Sequence, residues 1–583
     1  MYEIIYNNGF FENFATTFIF LFFVTVFCFS RFYINNKEIS FFDSYQPIIL
    51  FFIIFSVIVL FFNILIFFNY FLYFKHILYI IVFSIFLIWF FFSSKINLSI
   101  IKKKILYTKK EYLILFFFLI FFLISLLPIS DADSIAIHQN LANYIYLNGL
   151  ESVNLRKNFE FTTLSNSEIL LILSPVLQSD NFGSQLNFFA LLLVYFIFYK
   201  NNKSFIFFIF SCPLIIFFVS TQKLQLFFAI LYLLLFILLH QNLIKKKIEI
   251  FLFVLLLAFY ASAKISYILL ALPIYFYFLI LHKKKINLIL TYSTIIFFIF
   301  FIPIFLIKLK FFGNPVAPFF GKYFNVNNDF IDAFSLHLRS SEGWLNNALD
   351  FKIFFKPFIP LTLDTLTNSL GILFLFQLFN FSLLKETKFI PIIIIILVIL
   401  TGQILPRYYF EAFLILSFFY KAEKKVIINL IKFFQGSAIL ISASIFVFIS
   451  YFKTNVIFDK QKFMNKFSYS FYNSRQYKNL DIKENILVIP QDRQSIFFNE
   501  NIYGARGVDV KTLNYDRDSA ILSFLKENSI DYIVTADDYV LPNCIVLNNI
   551  GDIFQKRVRR NFFVNEQEES YTIYLINIKG CKL

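Results

Sequence analysis

What most constrains this chain is a recurrence of apolar runs about 17 to 25 residues long, divided by short polar loops. As an α-helix, a run of that length crosses a hydrocarbon core of roughly 30 Å. A water-soluble fold has no interior large enough to hide so many of them. Composition agrees, because 59% of the 583 residues are hydrophobic, against about half in ordinary soluble domains. The excess of Phe, Ile, Asn and Lys also fits an AT-rich genome, so no mechanism is read from the aromatic content. The expectation is a polytopic α-helical membrane protein.

Taking each apolar run as a helix gives about fourteen spans. They centre on 15–30, 47–68, 77–94, 112–128, 182–199, 205–220, 224–240, 249–262, 265–281, 288–308, 361–384, 389–405, 408–420 and 426–451. The net charge of +16 would suggest nucleic acid in a soluble protein. Here the lysines fall in alternate short loops, RFYINNKE, KINLSIIKKKILYTKK, KNNK, IKKK, HKKK, KETK and KAEKK. That is a topology signal, which makes these loops cytoplasmic, and no nucleic-acid partner is expected. The opposite set comprises the N-terminus, loop 129–181, the tight turns at Lys223, Lys264 and Arg407, loop 309–360 and everything after 451. These are expected outside the plasma membrane of a bacterium, on its periplasmic or extracellular side. The N-terminal MYEIIYNNGFFENF lacks the basic start of a cleavable signal, so the first span is expected to be retained.

Residues 1–452 are thus read as the membrane domain and 453–583 as a small extracytoplasmic α/β domain. Strands are expected at 485–490, 531–537 and 571–578, with a helix from Ser519 to Asn528 before the second. No phosphate loop or nucleophile motif occurs there, which points to a binding or supporting role. Of four cysteines, Cys28 and Cys212 fall in or beside spans. Cys544 and Cys581 either pair as a disulfide or remain two free thiols. In loop 129–181 the segment SNSEILLILSPVLQS is expected as an interfacial helix. In loop 309–360, Gly313, Asn314, Pro315 and Pro318 mark ordered turns, and Trp344 is placed as an interfacial anchor.

The chemistry concentrates at PISDADSIAIHQNLANY, directly after the span 112–128. Asp131 and Asp133 can deprotonate an acceptor hydroxyl or hold a divalent cation such as Mg or Mn. They can equally cap a helix starting near Ser134. His138 can carry a proton, donate to a phosphate or serve only the structure. In that helix Ser134, His138 and Leu141 would share a face. Lys223, Lys264 and Arg407 are cations on the side that the positive-inside rule leaves poor in charge, so each needs an anionic partner. The candidates are the Asp pair, Glu411, lipid head groups or a phosphate-bearing substrate, and guanidinium suits a phosphate best. His337 and Arg339 are weaker candidates in loop 309–360.

The order of these features resembles the GT-C superfamily of integral-membrane glycosyltransferases, which includes protein O-mannosyltransferases and aminoarabinose transferases. It rests on DADSIAIH, STQKLQ, SAKIS, GNPVAPFF and PRYYFEAF, together with a soluble C-terminal domain. The resemblance implies a polyprenyl-phosphate-linked sugar donor and a glycan, lipid or protein acceptor. It implies inversion at the anomeric carbon, with Asp131 or Asp133 as the acid of the first outer loop and Arg407 on the donor phosphate. This chain departs from the best-known members in having about four spans before the acidic loop, and in reading Asp-Ala-Asp. A polysaccharide polymerase or ligase and a lipid-linked glycan flippase or transporter are the competing classes. A flippase would show broken, charged mid-span helices and repeats, and no repeat is found.

Overall fold

The computed structural model describes residues 9–34, 45–68, 109–131, 133–149, 162–198, 203–317, 320–324, 358, 369–379, 389–400, 406–419, 425–478, 483–488, 502–504, 517–535, 545–557 and 567–577. Its helices begin with α1 (Phe10–Ile34), α2 (Gln46–Phe67), α3 (Lys109–Ser125), α4 (Asn140–Asn148), α5 (Asn166–Leu170), α6 (Leu173–Val176), α7 (Phe182–Phe198), α8 (Lys203–Phe210) and α9 (Leu214–Val219). They continue as α10 (Gln225–His240), α11 (Lys247–Ser262), α12 (Ile265–Leu281), α13 (Ile286–Phe312), α14 (Ile372–Phe379), α15 (Phe389–Leu400), α16 (Phe410–Phe418) and α17 (Lys425–Phe448).

At the centre stands α10, whose residues from Leu226 to Leu239 are all buried. A helix apolar on every side belongs inside a bundle, and α7, α11 and α16 pack around it. At the periphery, α13 leaves Leu290, Ile295, Phe298, Ile302 and Leu306 exposed, and α17 leaves Ile427, Leu430, Phe433, Phe434 and Ile441 exposed. Apolar surface that large needs an apolar solvent or partner to cover it. Among the described residues, four helices are long and apolar enough to cross a membrane: Phe10–Phe29, Gln46–Phe67, Lys283–Phe312 and Val426–Lys453. Several of the other expected spans are shorter here, and the one at 77–94 lies outside the described residues.

Two expectations change. The run 205–220 is two helices, α8 and α9, broken at Ser211–Pro213. Pro213 has no N–H to continue the α8 ladder, so it opens α9 instead, as its cap. The segment expected at the membrane interface forms α5 and α6, and every residue from Asn166 to Val176 except the half-buried Ser167 is buried. An interfacial helix keeps a polar face in water; here Asn166 turns inward. Its Nδ2 donates to Ser262 Oγ at 2.7 Å and to Phe300 O at 3.3 Å, while its Oδ1 accepts from Asn63 Nδ2 at 2.8 Å. One amide thereby joins α2, α5, α11 and α13.

The turns expected outside gather at one end of the bundle, where Ser134, Gln222 and Asp180 are hydrogen-bonded together. At the other, the basic loops before α11 and α13 meet, where Lys285 Nζ donates to Lys245 O. The GNPVA turn is ordered. Gly313 caps α13 at φ 65°, where glycine lacks the Cβ penalty, and Asn314 Oδ1 accepts from Val316 N at 2.9 Å.

Gly183, at the start of α7, lets the turn after α9 approach closely. A Cβ there would lie 2.6 Å from Gln222 O and 2.9 Å from its Cα, and the Gly183 N–H donates to Gln222 Oε1 at 2.5 Å. Gly183→Ala must push backbone against backbone. We expect it to lower stability by about 1–3 kcal/mol, read as a fall in the thermal unfolding midpoint of the detergent-purified protein.

Beyond the bundle, α18 (Lys460–Phe467) and α19 (Tyr469–Lys478) lead to a five-stranded sheet of order β2-β1-β3-β5-β4. Its strands are β1 (Asn485–Val488), β2 (Ile502–Gly504), β3 (Ile530–Thr535), β4 (Ile545–Arg557) and β5 (Gln567–Asn577). β1 runs parallel to β2 and β3, and β5 runs antiparallel to β3 and β4. The expected helix before the second strand is α20 (Arg517–Glu527). The sequence pattern does not announce β2 and β4. β2 is three residues long, and Asn548, Asn549 and Gly551 blur the alternation of β4, where its register with β5 shifts.

Candidate functional site

The site begins where α3 ends. Pro128 cannot continue a helix, and the chain turns at Asp131. Asp131 Oδ2 accepts from Ser134 N at 3.0 Å and from Ser134 Oγ at 2.8 Å. The capping role is thus real for Asp131. The capped segment is a π-helix, Ser134–Gln139, running into α4. Its wider turn undoes the expected shared face, since Ser134 and Leu141 are buried while His138 keeps 20% of its side chain exposed. Such π segments recur at functional sites.

Both ends of this π-helix are bonded down. Ser134 Oγ also accepts from Gln222 N at 3.0 Å. Gln139 Oε1 accepts from Gln222 Nε2 at 2.9 Å and from Ser174 Oγ at 3.1 Å, and its Nε2 donates to Asn143 Oδ1 at 3.0 Å. Gln222 Nε2 further donates to Asp180 O. Asp180, fully buried, pairs with Lys460 at 3.2 Å and with the Asn13 side chain.

Lys223 belongs to the same turn as Gln222. Its Nζ lies 2.9 Å from Asp133 Oδ2 and 3.4 Å from Asp131 Oδ2. Side-chain exposures are 7% for Lys223, 11% for Asp131 and 23% for Asp133. Asn187 fixes the turn by donating to Lys223 O at 2.8 Å and Phe218 O at 2.9 Å. The anionic partner that Lys223 needed is therefore the Asp pair. Its ammonium also stands between the carboxylates, where a divalent cation would bridge them. With that ammonium in place the donor set does not fit a metal ion.

His138 Nδ1 lies 3.0 Å from Glu168 Oε1, and Glu168 is only 5% exposed. Its Oε2 is bonded to Ser165 Oγ, which also contacts Ala263 O beside Lys264. Burial alone would push the Glu168 carboxyl up. The hydrogen bond and charge of His138, with the hydroxyls of Ser165 and Ser167, outweigh it and hold the group below its ordinary value. Buried Lys308 lies near enough to Glu168 to feel its charge, and donates to Ala317 O at 2.7 Å. Glu168 does not stand out in the sequence. The available signal is an acid inside the apolar run SEILLIL, which burial obliges to find a partner.

Arg407 and Lys264 lie around Tyr408. Lys264 Nζ sits 4.7 Å from the ring centroid and the Arg407 guanidinium carbon 5.2 Å. Arg407 donates to Tyr408 Oη at 3.4 Å, and its Nε is buried with no partner among the described residues. Burial opposes the Arg407 charge, but Tyr408, Asp133 and Asp131 together favour it, so this cation is held more firmly than usual. Arg407, Ser266, Gln225 and Glu411 line a cleft together with Leu269, Leu270, Leu397 and Val398. It encloses about 390 Å³ of empty space, mouth included. Ser266 Oγ and Gln225 Oε1 are also buried there without partners among the described residues. Glu411 accepts from Tyr260 Oη at 3.3 Å and feels the charge of Lys264.

Asp131, Asp133, His138 and Lys223 thus form one layer, and Arg407 lines an adjoining cleft, with Lys264 close by over Tyr408. His337, Arg339, Trp344, Cys544 and Cys581 lie outside the described residues. Comparison with protein-family models, curated proteins and solved structures finds no match for this chain. Fold and site define a helical protein with bilayer-length apolar helices and a charged site built from its helix ends.

Proposed function

We propose that this protein is a multi-pass glycosyltransferase of the bacterial plasma membrane, working on the outer face. It moves a sugar from a polyprenyl-phosphate carrier to a surface glycan, lipid or protein. The observation that carries this reading is the meeting of acids, a histidine and cations from distant outer turns beside a cleft lined in part by aliphatic side chains. A lipid phosphate needs both kinds of lining. Its isoprenoid lies along Leu269, Leu270, Leu397 and Val398, and its phosphate faces Arg407, with Lys264 adding charge nearby.

In the reaction the acceptor oxygen bonds to the anomeric carbon from the face opposite the phosphate. The carbon–oxygen bond to phosphate breaks, the electron pair leaves with polyprenyl phosphate, and the acceptor proton passes to a base. Arg407 and Lys264 offset the charge that grows on the leaving phosphate. Asp131, Asp133 and His138 supply the base side, with Lys223 holding the two carboxylates in place. No step runs through a metal.

The test is the surface-glycan profile of a deletion strain, by mass spectrometry. A sugar should disappear on deletion and return with the wild-type gene. Asp131→Asn or Asp133→Asn, expressed at equal membrane level, should fail to restore it fully. Full restoration by both would leave the acids as a helix cap and favour a polymerase or flippase.

A further inference from the structure

We propose that Glu168 is a positioning residue that fixes His138 as the base taking the acceptor's proton. The inference rests on the transferase reading above and goes beyond it in choosing among the base candidates. Four carboxylates lie in or near this layer, and their bonding separates them: Asp180 is sealed away against Lys460 and Asn13. Asp131 Oδ2 already accepts from Ser134 twice and faces Lys223, and Asp133 is the nearer partner of the same ammonium. The oxygens of each carboxylate that face the site are thus already engaged by a cation or a cap. Glu168 is committed to His138 and to Ser165.

His138 is placed differently. Its Nδ1 faces Glu168 Oε1 at 3.0 Å, so in the neutral ring the proton sits on Nδ1 and Nε2 carries the lone pair. No second hydrogen bond to the ring forms among the described residues, and 20% of the side chain is exposed. The neighbours of His138 along the π-helix, Ser134 and Gln139, are buried and bonded, so the imidazole cannot swing freely. A buried carboxylate behind an imidazole does two things: it selects the tautomer, and it stabilises the imidazolium formed when Nε2 takes a proton. Lys308 from α13 and Tyr267 from α12 lie near enough to Glu168 to interact with its charge. In the transfer step the acceptor O–H proton moves to Nε2 as the oxygen bonds to the sugar. It is released to water after the polyprenyl phosphate has left.

The bland alternative is that His138–Glu168 merely staples α5 to the π-helix. The two roles separate in cells carrying variant genes in the deletion strain, scored by yield of the missing sugar per unit of membrane-inserted protein. His138→Ala should lower the yield by about 100-fold or more, and imidazole in the medium should restore part of it. Glu168→Gln should lower the yield in the wild-type background but leave imidazole-rescued His138→Ala unchanged, because Glu168 acts only through the ring. Glu168→Asp, which keeps the charge, should retain more than Glu168→Gln. Failure of rescue, or a further loss on adding Glu168→Gln to rescued His138→Ala, would overturn the assignment and leave the staple. If His138→Ala does not insert, His138→Gln takes its place with the same criteria. A deletion strain with unaltered glycans would sink the transferase reading itself, and the base assignment with it. A sugar lost on deletion but fully restored by His138→Ala would sink the base assignment alone.

Discussion

Replacing Arg407 with alanine is expected to cut sugar transfer by about 10²–10³-fold while the protein still inserts and folds. Little in the folded structure depends on this side chain. It makes one long hydrogen bond, 3.4 Å to Tyr408 Oη, and no ion pair among the described residues. Yet its guanidinium lines the cleft with Nε unpartnered, held charged by two carboxylates and a tyrosine. A cation that the fold hardly uses is available to a ligand. Arg407→Lys keeps the charge and loses the planar fork that matches phosphate in two places, so it should fall between wild type and alanine. Glycan yield normalised to membrane level measures this series. An alanine variant with wild-type yield would remove Arg407 from the donor site.

The second large effect is expected at Lys223. Lys223→Ala leaves Asp131 and Asp133 side by side without their shared ammonium, and breaking such a pair costs about 3–5 kcal/mol when it is buried. Asp133 is 23% exposed, which places the loss near the lower end of that range. With Cys544 and Cys581 replaced by serine, the buried thiols of Cys28 and Cys212 provide the measurement, since a thiol-reactive dye reaches them only on unfolding. The midpoint should drop in Lys223→Ala and recover in part when Asp133→Asn removes one of the two charges. If the double variant is no more stable than the single one, repulsion between the acids is not what the lysine relieves.

How much of this is legible in the sequence depends on what a one-dimensional pattern records. The charge alternation picks out the turns poor in basic residues, and a lysine there needs an anion; for Lys223 the Asp pair supplies it. Charge patterning cannot say that Lys223 is spoken for while Arg407 stays available, because that depends on turn geometry fixed by Asn187 and Gln222. Glu168 is hidden by its surroundings. Hydropathy averaging dissolves a single acid in SEILLIL, and only the packing shows α5 sealed inside with the carboxylate against His138. The π-helix is equally invisible, since its sequence carries α-helical periodicity and the extra residue per turn comes from anchoring Ser134 and Gln139 to one glutamine. Hydropathy also overstates continuity. It runs smoothly through Ser211–Pro213, where the backbone breaks for want of a donor.

The pairing of Asp180 with Lys460 and Asn13 bears on how the protein is made. Asp180 is fully buried, and its partners stand near the two ends of the membrane region, one at the start of α1 and one past α17. During synthesis Asn13 is present from the beginning, but Lys460 emerges only after the last bilayer-length helix has been threaded. Until then Asp180 lacks its cation partner, and the loops around Gln222 lack the ion pair that completes their packing on the π-helix. The newly made chain therefore acquires the full set of contacts in this layer only once translation has passed the whole bundle.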